Sequence, residues 1–186
     1  MEPPATTRYI AFLRAINVGG HTVKMERLRT LFEALGLANV ATFIASGNVI
    51  FEAPDENAHL LERQIERHLR QALGYDVATF IRSASELAAI AQYQPFTASE
   101  QATTGTALYI AFLPVPPTAE SWRKLLNFRT PVDDFQLQGR EIYWLCRTKM
   151  SESVFSGALL EKTIGMPATL RNVTTVRKLA AKYAAQ

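Results

Sequence analysis

The pentapeptide Tyr-Ile-Ala-Phe-Leu occurs twice in the chain, at residues 9–13 and again at 109–113. Apolar strands draw on few residue types, so the match gains its force from the residues downstream of each copy. After the first, Met25, Leu28, Leu31, Phe32 and Leu35 recur at helical spacing until Gly36. Residues 40–45 and 49–51 read as two strands joined by a tight turn at Ser46-Gly47-Asn48. Asp55 is the expected N-cap of a long helix through Leu61, Ile65, Leu69 and Leu73, stopped by Gly74. Residues 77–81 form a fourth expected strand, and Ser83-Ala84-Ser85-Glu86 has capping-box spacing for a short helix.

The second half gives the same order. A strand at 108–113 precedes a helix at 119–126, which opens after Pro116-Pro117. Residues 135–137 and 142–146 suit a hairpin around Gly139, and Ser151 opens a helix that stops near Gly165. Even the ends correspond: Ala78-Thr79-Phe80-Ile81-Arg82-Ser83 matches Ala168-Thr169-Leu170-Arg171-Asn172. The expected fold is α+β, a tandem duplication of a ferredoxin-like βαββαβ plait, each copy followed by a short helix. The subdomains are expected at 8–94 and 106–186, with the boundary between Gln94 and Thr106. Neither Tyr-Ile-Ala-Phe-Leu nor Ile-Tyr-Trp-Leu-Cys alternates apolar with polar residues, so both faces of each sheet should be covered. The two sheets packing on each other, or a homodimer, would do this.

In a plait the first and third strands are antiparallel neighbours, so the exit of one lies beside the entry of the other. Arg14-Ala15-Ile16-Asn17-Val18-Gly19-Gly20 leaves the first strand, and Ser46-Gly47-Asn48 enters the third. Glycines let a ligand approach the backbone, and a helix beginning just after Gly20 would turn its N–H groups toward the same place. With Arg14, His21 and Lys24 adding charge, the group Arg14, Asn17, Gly19, Gly20, Lys24, Ser46, Gly47 and Asn48 suits a phosphate or carboxylate. Gly and Asn are also ordinary turn residues. The second copy has Pro-Val-Pro-Pro and Gln-Gly-Arg at the corresponding places, so the fold alone does not demand the first set. Arg171 and Asn172 are expected to join these ligand-binding residues, Arg171 as a planar, permanently charged donor, and Asn172 is also placed to cap the final helix.

Other chemistry is narrowed by what the chain lacks. One cysteine, Cys146, excludes an intramolecular disulfide and a cysteine-rich metal site, and its apolar surroundings in sequence point to a buried thiol. His59 and His68 lie nine apart on a Glu/Arg-rich helix, too far apart for a metal pair, and are expected in solvent. Neither a Walker A loop nor G-x-G-x-x-G occurs, and no Ser/His/Asp set can be assigned. Tyr9, Phe12 and Phe51 are read as core rather than as RNA-stacking rings. No apolar run approaches the roughly 20 residues of a membrane helix, and an acid with two prolines stands where a signal peptide would be basic and then apolar. A cytoplasmic protein without membrane contact is expected. From Arg147 onward seven basic residues face two glutamates. That excess suits either a solvated helix face or phosphates.

Leu-Arg-Ala-Ile-Asn-Val-Gly-Gly, then Met25 and Leu28, then Thr42-Phe43-Ile44-Ala45-Ser46-Gly47-Asn48-Val49, resembles the bacterial domain-of-unknown-function family 1697. Thr169-Leu170-Arg171-Asn172 with Thr175 and Lys178-Leu179 is similar to that family's C-terminal signature, and the likeness runs from about Tyr9 to Tyr183. Where members commonly carry Trp after the Arg-Asn pair, this chain has Val173. The resemblance implies one whole-chain unit and carries no activity with it. Three functions stay open: binding of an anionic small molecule or nucleotide at the first copy's turns, nucleic-acid binding by the basic C-terminal segment, and an enzyme of unassigned reaction.

Overall fold

The computed structural model describes residues 5–44, 47–55 and 57–184. It contains two four-stranded antiparallel sheets and, among the described residues, seven α-helices. The first sheet has the order β2 (Ala38–Thr42), β3 (Asn48–Pro54), β1 (Thr6–Leu13), β4 (Thr79–Ser83), and the second β6 (Asp133–Gln138), β7 (Glu141–Cys146), β5 (Ala107–Phe112), β8 (Thr169–Asn172). The chain divides into two compact units, 1–89 with 179–186, and 90–178.

In the first unit, β1 (Thr6–Leu13) is followed by α1 (Met25–Glu33), β2 (Ala38–Thr42), β3 (Asn48–Pro54), α2 (Ala58–Leu73), β4 (Thr79–Ser83) and α3 (Ala84–Gln92). Tyr9, Ala11 and Leu13 of β1 join Val49, Phe51 and Ile81 in one core with Leu28 and Phe32 of α1 and Leu61, Ile65 and Leu69 of α2. Each large aliphatic or Phe side chain in this set contributes about 1.5–3 kcal/mol by leaving water. Met25, expected on that face, is 41% exposed, because it is the first residue of α1 and the buried face begins a turn later. The cap of α2 is Asn57, whose side chain accepts from the His59 N–H, rather than Asp55. Asp55 instead accepts the Tyr9 hydroxyl at 3.4 Å.

The opposite faces of both sheets are also buried. Ile10, Phe12, Phe80 and Arg82 are at most 2% exposed, and Ile110, Phe112, Tyr143 and Leu145 at most 1%.

The second unit holds β5 (Ala107–Phe112), α5 (Ala119–Leu126), β6 (Asp133–Gln138), β7 (Glu141–Cys146), α6 (Gly157–Ile164) and β8 (Thr169–Asn172). The four-residue α4 (Ala98–Gln101) precedes β5, and α7 (Val173–Tyr183) follows β8. Ser151 lies in a short 3₁₀ turn, Met150–Glu152, and α6 begins only after Ser156, whose hydroxyl caps Leu159 N–H. The reason lies at Ser153. Its hydroxyl donates to buried Asp133 at 2.7 Å and accepts from Phe155 N–H at 2.9 Å, which holds the chain out of a helix there. Asp133 also accepts the Trp144 indole N–H at 2.7 Å. Cys146 is buried, as expected, and desolvation pushes its thiol pKa up.

Register is the same in the two sheets. Tyr9 faces Phe51 and Ser83, while Tyr109 faces Trp144 and Asn172. Ile10 faces Arg82, and Ile110 faces Arg171. Arg82 therefore corresponds to Arg171, and counting back along the strands Thr79 corresponds to Ala168 rather than to Thr169. No helix among the described residues is long and apolar enough to cross a membrane.

Candidate functional site

The exit of β1 and the entry of β3 meet. Leu13 N–H donates to Gly47 O at 2.7 Å, and Phe12 lies opposite Asn48 in the register. Arg14 N–H continues this edge by donating to Ala78 O at 2.9 Å. Beyond Arg14 the chain forms a loop anchored by two buried residues, Ile16 and Val23, with residues 17–22 exposed between them. Ala15 has φ 54°, and Gly19 and Gly20 have φ 69° and 84°. A Cβ at Gly20 would meet nothing within 4 Å, so its glycine serves backbone conformation rather than close packing.

Three interactions fix this loop. Asn17 Oδ1 accepts from Val23 N–H at 2.7 Å, which closes the segment on itself. Tyr75 donates its hydroxyl to Ile16 O at 2.8 Å, and burial pushes that phenol's pKa up. The His21 imidazole lies on the Tyr75 ring, with centroids 3.9 Å apart and planes 19° apart. Across the edge, Asn48 is 3% exposed and its Nδ2 donates to Phe43 O at 3.0 Å and Ile44 O at 3.4 Å. Both asparagines thus spend side-chain atoms on turn backbone. Ser46 lies outside the described residues.

α1 starts at Met25, not directly after Gly20. Lys24 is its extended N-cap and gives it no side-chain bond. The cause is the Asn17–Val23 closure, which holds residues 17–23 in a turn, so the helix can start only after buried Val23. The exposed segment accordingly runs between Arg14 and Lys24 and includes His21, and the helix N-terminus lies further along.

Asn172 accepts from Thr174 N–H at 2.8 Å at the start of α7. Ser83, at the corresponding register position, accepts from Glu86 N–H at the start of α3, and Glu86 returns the bond to Ser83 N–H. Arg171 shows no structural duty in the sequence, yet its Nη1 donates to Thr169 Oγ1 at 2.8 Å and Leu170 O at 2.9 Å. Burial lowers its guanidinium pKa to about 10, which leaves it charged at neutral pH. Arg82 likewise donates to the preceding carbonyl, Ile81 O, at 2.9 Å.

Features that left no local sequence signal appear elsewhere. A cleft of about 370 Å³ lies at the other end of β1, lined by Thr6, Arg8, Glu52, Ser85 and Tyr183. There Arg8 bonds Glu52 at 2.9 Å and Tyr183 O at 3.2 Å. Hydrogen bonds from Asn39 and Arg8 hold the Glu52 carboxyl below the usual range. At the corresponding place in the second unit a cleft of about 150 Å³ has Leu108 and Leu145 in place of that ion pair. His59 bonds Glu62, and His68 Nε2 is buried without a hydrogen-bond partner, so neither imidazole is simply solvated. Among the described residues no three His, Cys, Asp or Glu side chains are grouped to hold a metal ion.

The chain is similar over 95% of its length to the solved structure of a conserved bacterial protein from Streptococcus pneumoniae. The likeness covers 98% of that chain at 23% identity and a TM-score of 0.73, and it speaks to the fold alone. None of the curated proteins compared with the chain matches it. The sequence family described as "Protein of unknown function (DUF1697)" matches residues 6–143, a span that holds both turn motifs and stops short of Thr169–Asn172. The chain belongs to that family.

Proposed function

We propose that this protein binds an anionic small molecule at the loop of residues 14–24, beside Gly47 and Asn48. One observation carries the reading. The loop is tied down by contacts of Asn17, Tyr75 and His21, while Val18, Gly19 and Gly20 are exposed. Ala15 keeps a left-handed φ there, at a cost of about 1 kcal/mol. The second unit makes the corresponding strand-to-helix connection in residues 113–118, without a positive-φ residue. A preorganised, exposed, amide-rich loop flanked by Arg14 and Lys24 suits phosphate or carboxylate recognition. In this reading Asn17 and Asn48 shape the site and do not touch the ligand.

The test is a thermal-shift screen of the full chain against inorganic phosphate, sugar phosphates and nucleotides. A ligand present at a hundred times its Kd stabilises the fold by about 2.7 kcal/mol. Lys24→Ala should abolish most of that shift and leave the unliganded melting temperature unchanged, since Lys24 is exposed. A screen with no shift from any phosphorylated compound overturns the reading. Nucleic-acid binding has less support, because the C-terminal basic residues are dispersed in role: half-buried Arg171 donates to Thr169 and Leu170, and Arg147 and Lys149 face Glu100 and Glu152 at 3.9 Å.

We further infer that the scaffold is a duplicated ferredoxin-like plait. Its support is the shared strand order, the matching register and the equivalent caps at Ser83 and Asn172.

A further inference from the structure

We propose that the ligand of this loop is a nucleotide, with its base stacked on the outward face of His21 and its phosphate on the backbone of Gly19 and Gly20. The inference rests on the anion-binding reading above and adds the substrate class. His21 is exposed, and one face of its imidazole is covered. It lies nearly parallel on Tyr75, the one ring that contacts it among the described residues. Tyr75 cannot swing away readily, because its hydroxyl is tied to Ile16 O and its backbone directly follows Gly74, the left-handed cap of α2. One face of the imidazole is therefore backed by a fixed ring, and the residue's exposure leaves the other for a guest.

A platform of this kind has no use for a bare phosphate or a sugar phosphate. Planar heterocycles stack on aromatic side chains without needing hydrogen-bond readout, because every base presents a π-face. His21 directly follows the Gly19-Gly20 pair, so the platform and the loop amides lie within the reach of one nucleoside monophosphate. Val18 and Met25, 63% and 41% exposed, add apolar surface on the same short segment.

Isothermal titration of the full chain with AMP, CMP, ribose 5-phosphate and inorganic phosphate tests this directly. Both nucleotides should bind about tenfold more tightly than ribose 5-phosphate. His21→Ala should collapse that ratio by weakening both nucleotides far more than ribose 5-phosphate, and His21→Phe, which keeps a ring on Tyr75, should restore it. In wild type, AMP should move the His21 ring-proton resonances upfield, and ribose 5-phosphate should not. Equal affinity for AMP and ribose 5-phosphate, or a ratio unchanged in His21→Ala, overturns the nucleotide assignment and leaves the anion reading standing. Absence of binding by all four compounds overturns both. A single-stranded oligonucleotide that binds far more tightly than AMP, with steep salt dependence, would overturn the mononucleotide in favour of a nucleic-acid strand.

Discussion

Asn48 Nδ2 donates to two turn carbonyls from a position 3% exposed, and Ile44, one of its partners, holds φ 46° although it is β-branched. Removing the amide leaves those carbonyls without that donor, so Asn48→Ala should cost about 1–3 kcal/mol in urea unfolding. Gly20→Ala isolates backbone conformation: nothing obstructs a Cβ, and the left-handed φ alone should cost about 1 kcal/mol. Asn172→Ala removes a cap and should cost on the order of 1 kcal/mol. Glu52 offers a titration test. Its folded pKa is held below the unfolded value first by Asn39 and then by Arg8, so its contribution is present above the unfolded pKa and disappears as pH falls through the folded one. Asn39→Ala should move the Glu52 carboxyl resonance to titrate at higher pH, and an unmoved midpoint would show that the Asn39 bond carries no weight. Cap residues and turn glycines of this kind are readable locally. The duties of Asn17 and Asn48 are not, because the same residue types serve a turn or a ligand equally well.

At the scale of elements, α2 guards the edge of its own sheet. β4 is an outer strand, and its Thr79 and Ile81 N–H groups donate to Glu66 and Glu62 of α2 at 2.9 and 2.8 Å. In the second unit Glu161 of α6 accepts from Ala168 N–H at 2.8 Å, at the position that corresponds to Thr79. A strand edge met by carboxylates is closed to pairing with another chain. Desolvation raises the Glu66 pKa above its ordinary value, and the Thr79 N–H only partly opposes it. An acid whose folded pKa is raised binds more protons folded than unfolded between the two values. Stability from this group therefore falls as pH rises through that window. Glu66→Gln keeps an acceptor for Thr79 and should flatten the pH dependence of stability between the unfolded and folded pKa values. Glu66→Ala should expose the Thr79 N–H to hydrogen exchange. Equal exchange rates in the two variants would deny the carboxylate its edge-guarding part. The helix faces were legible from 3.6-residue spacing. Why this particular helix carries Glu at 62 and 66 on its inner side was not, since the partners lie on a strand read separately.

Over the whole molecule, the repeated strands are buried on both faces of their sheets. Phe12 and Phe112 are each fully buried, so Phe12→Ala and Phe112→Ala should each cost about 3–5 kcal/mol in denaturant unfolding. A much smaller cost at either would mean that its second sheet face is open in solution. The repeat, the missing alternation and the turn glycines are local or periodic signals. From them the amino-acid sequence determined the order of the strands and of the helices other than α4, the double burial of the sheets and the meeting of the β1 exit with the β3 entry. Tertiary structure alone decided where α1 begins, that Asn17 and Asn48 are committed to backbone, that Asp133 accepts the Trp144 indole N–H, and that His21 lies on Tyr75. Each of these joins groups whose pairing has no period in the chain. A hydrogen bond or ring contact between residues brought together only by folding leaves no mark on either one's neighbours in sequence.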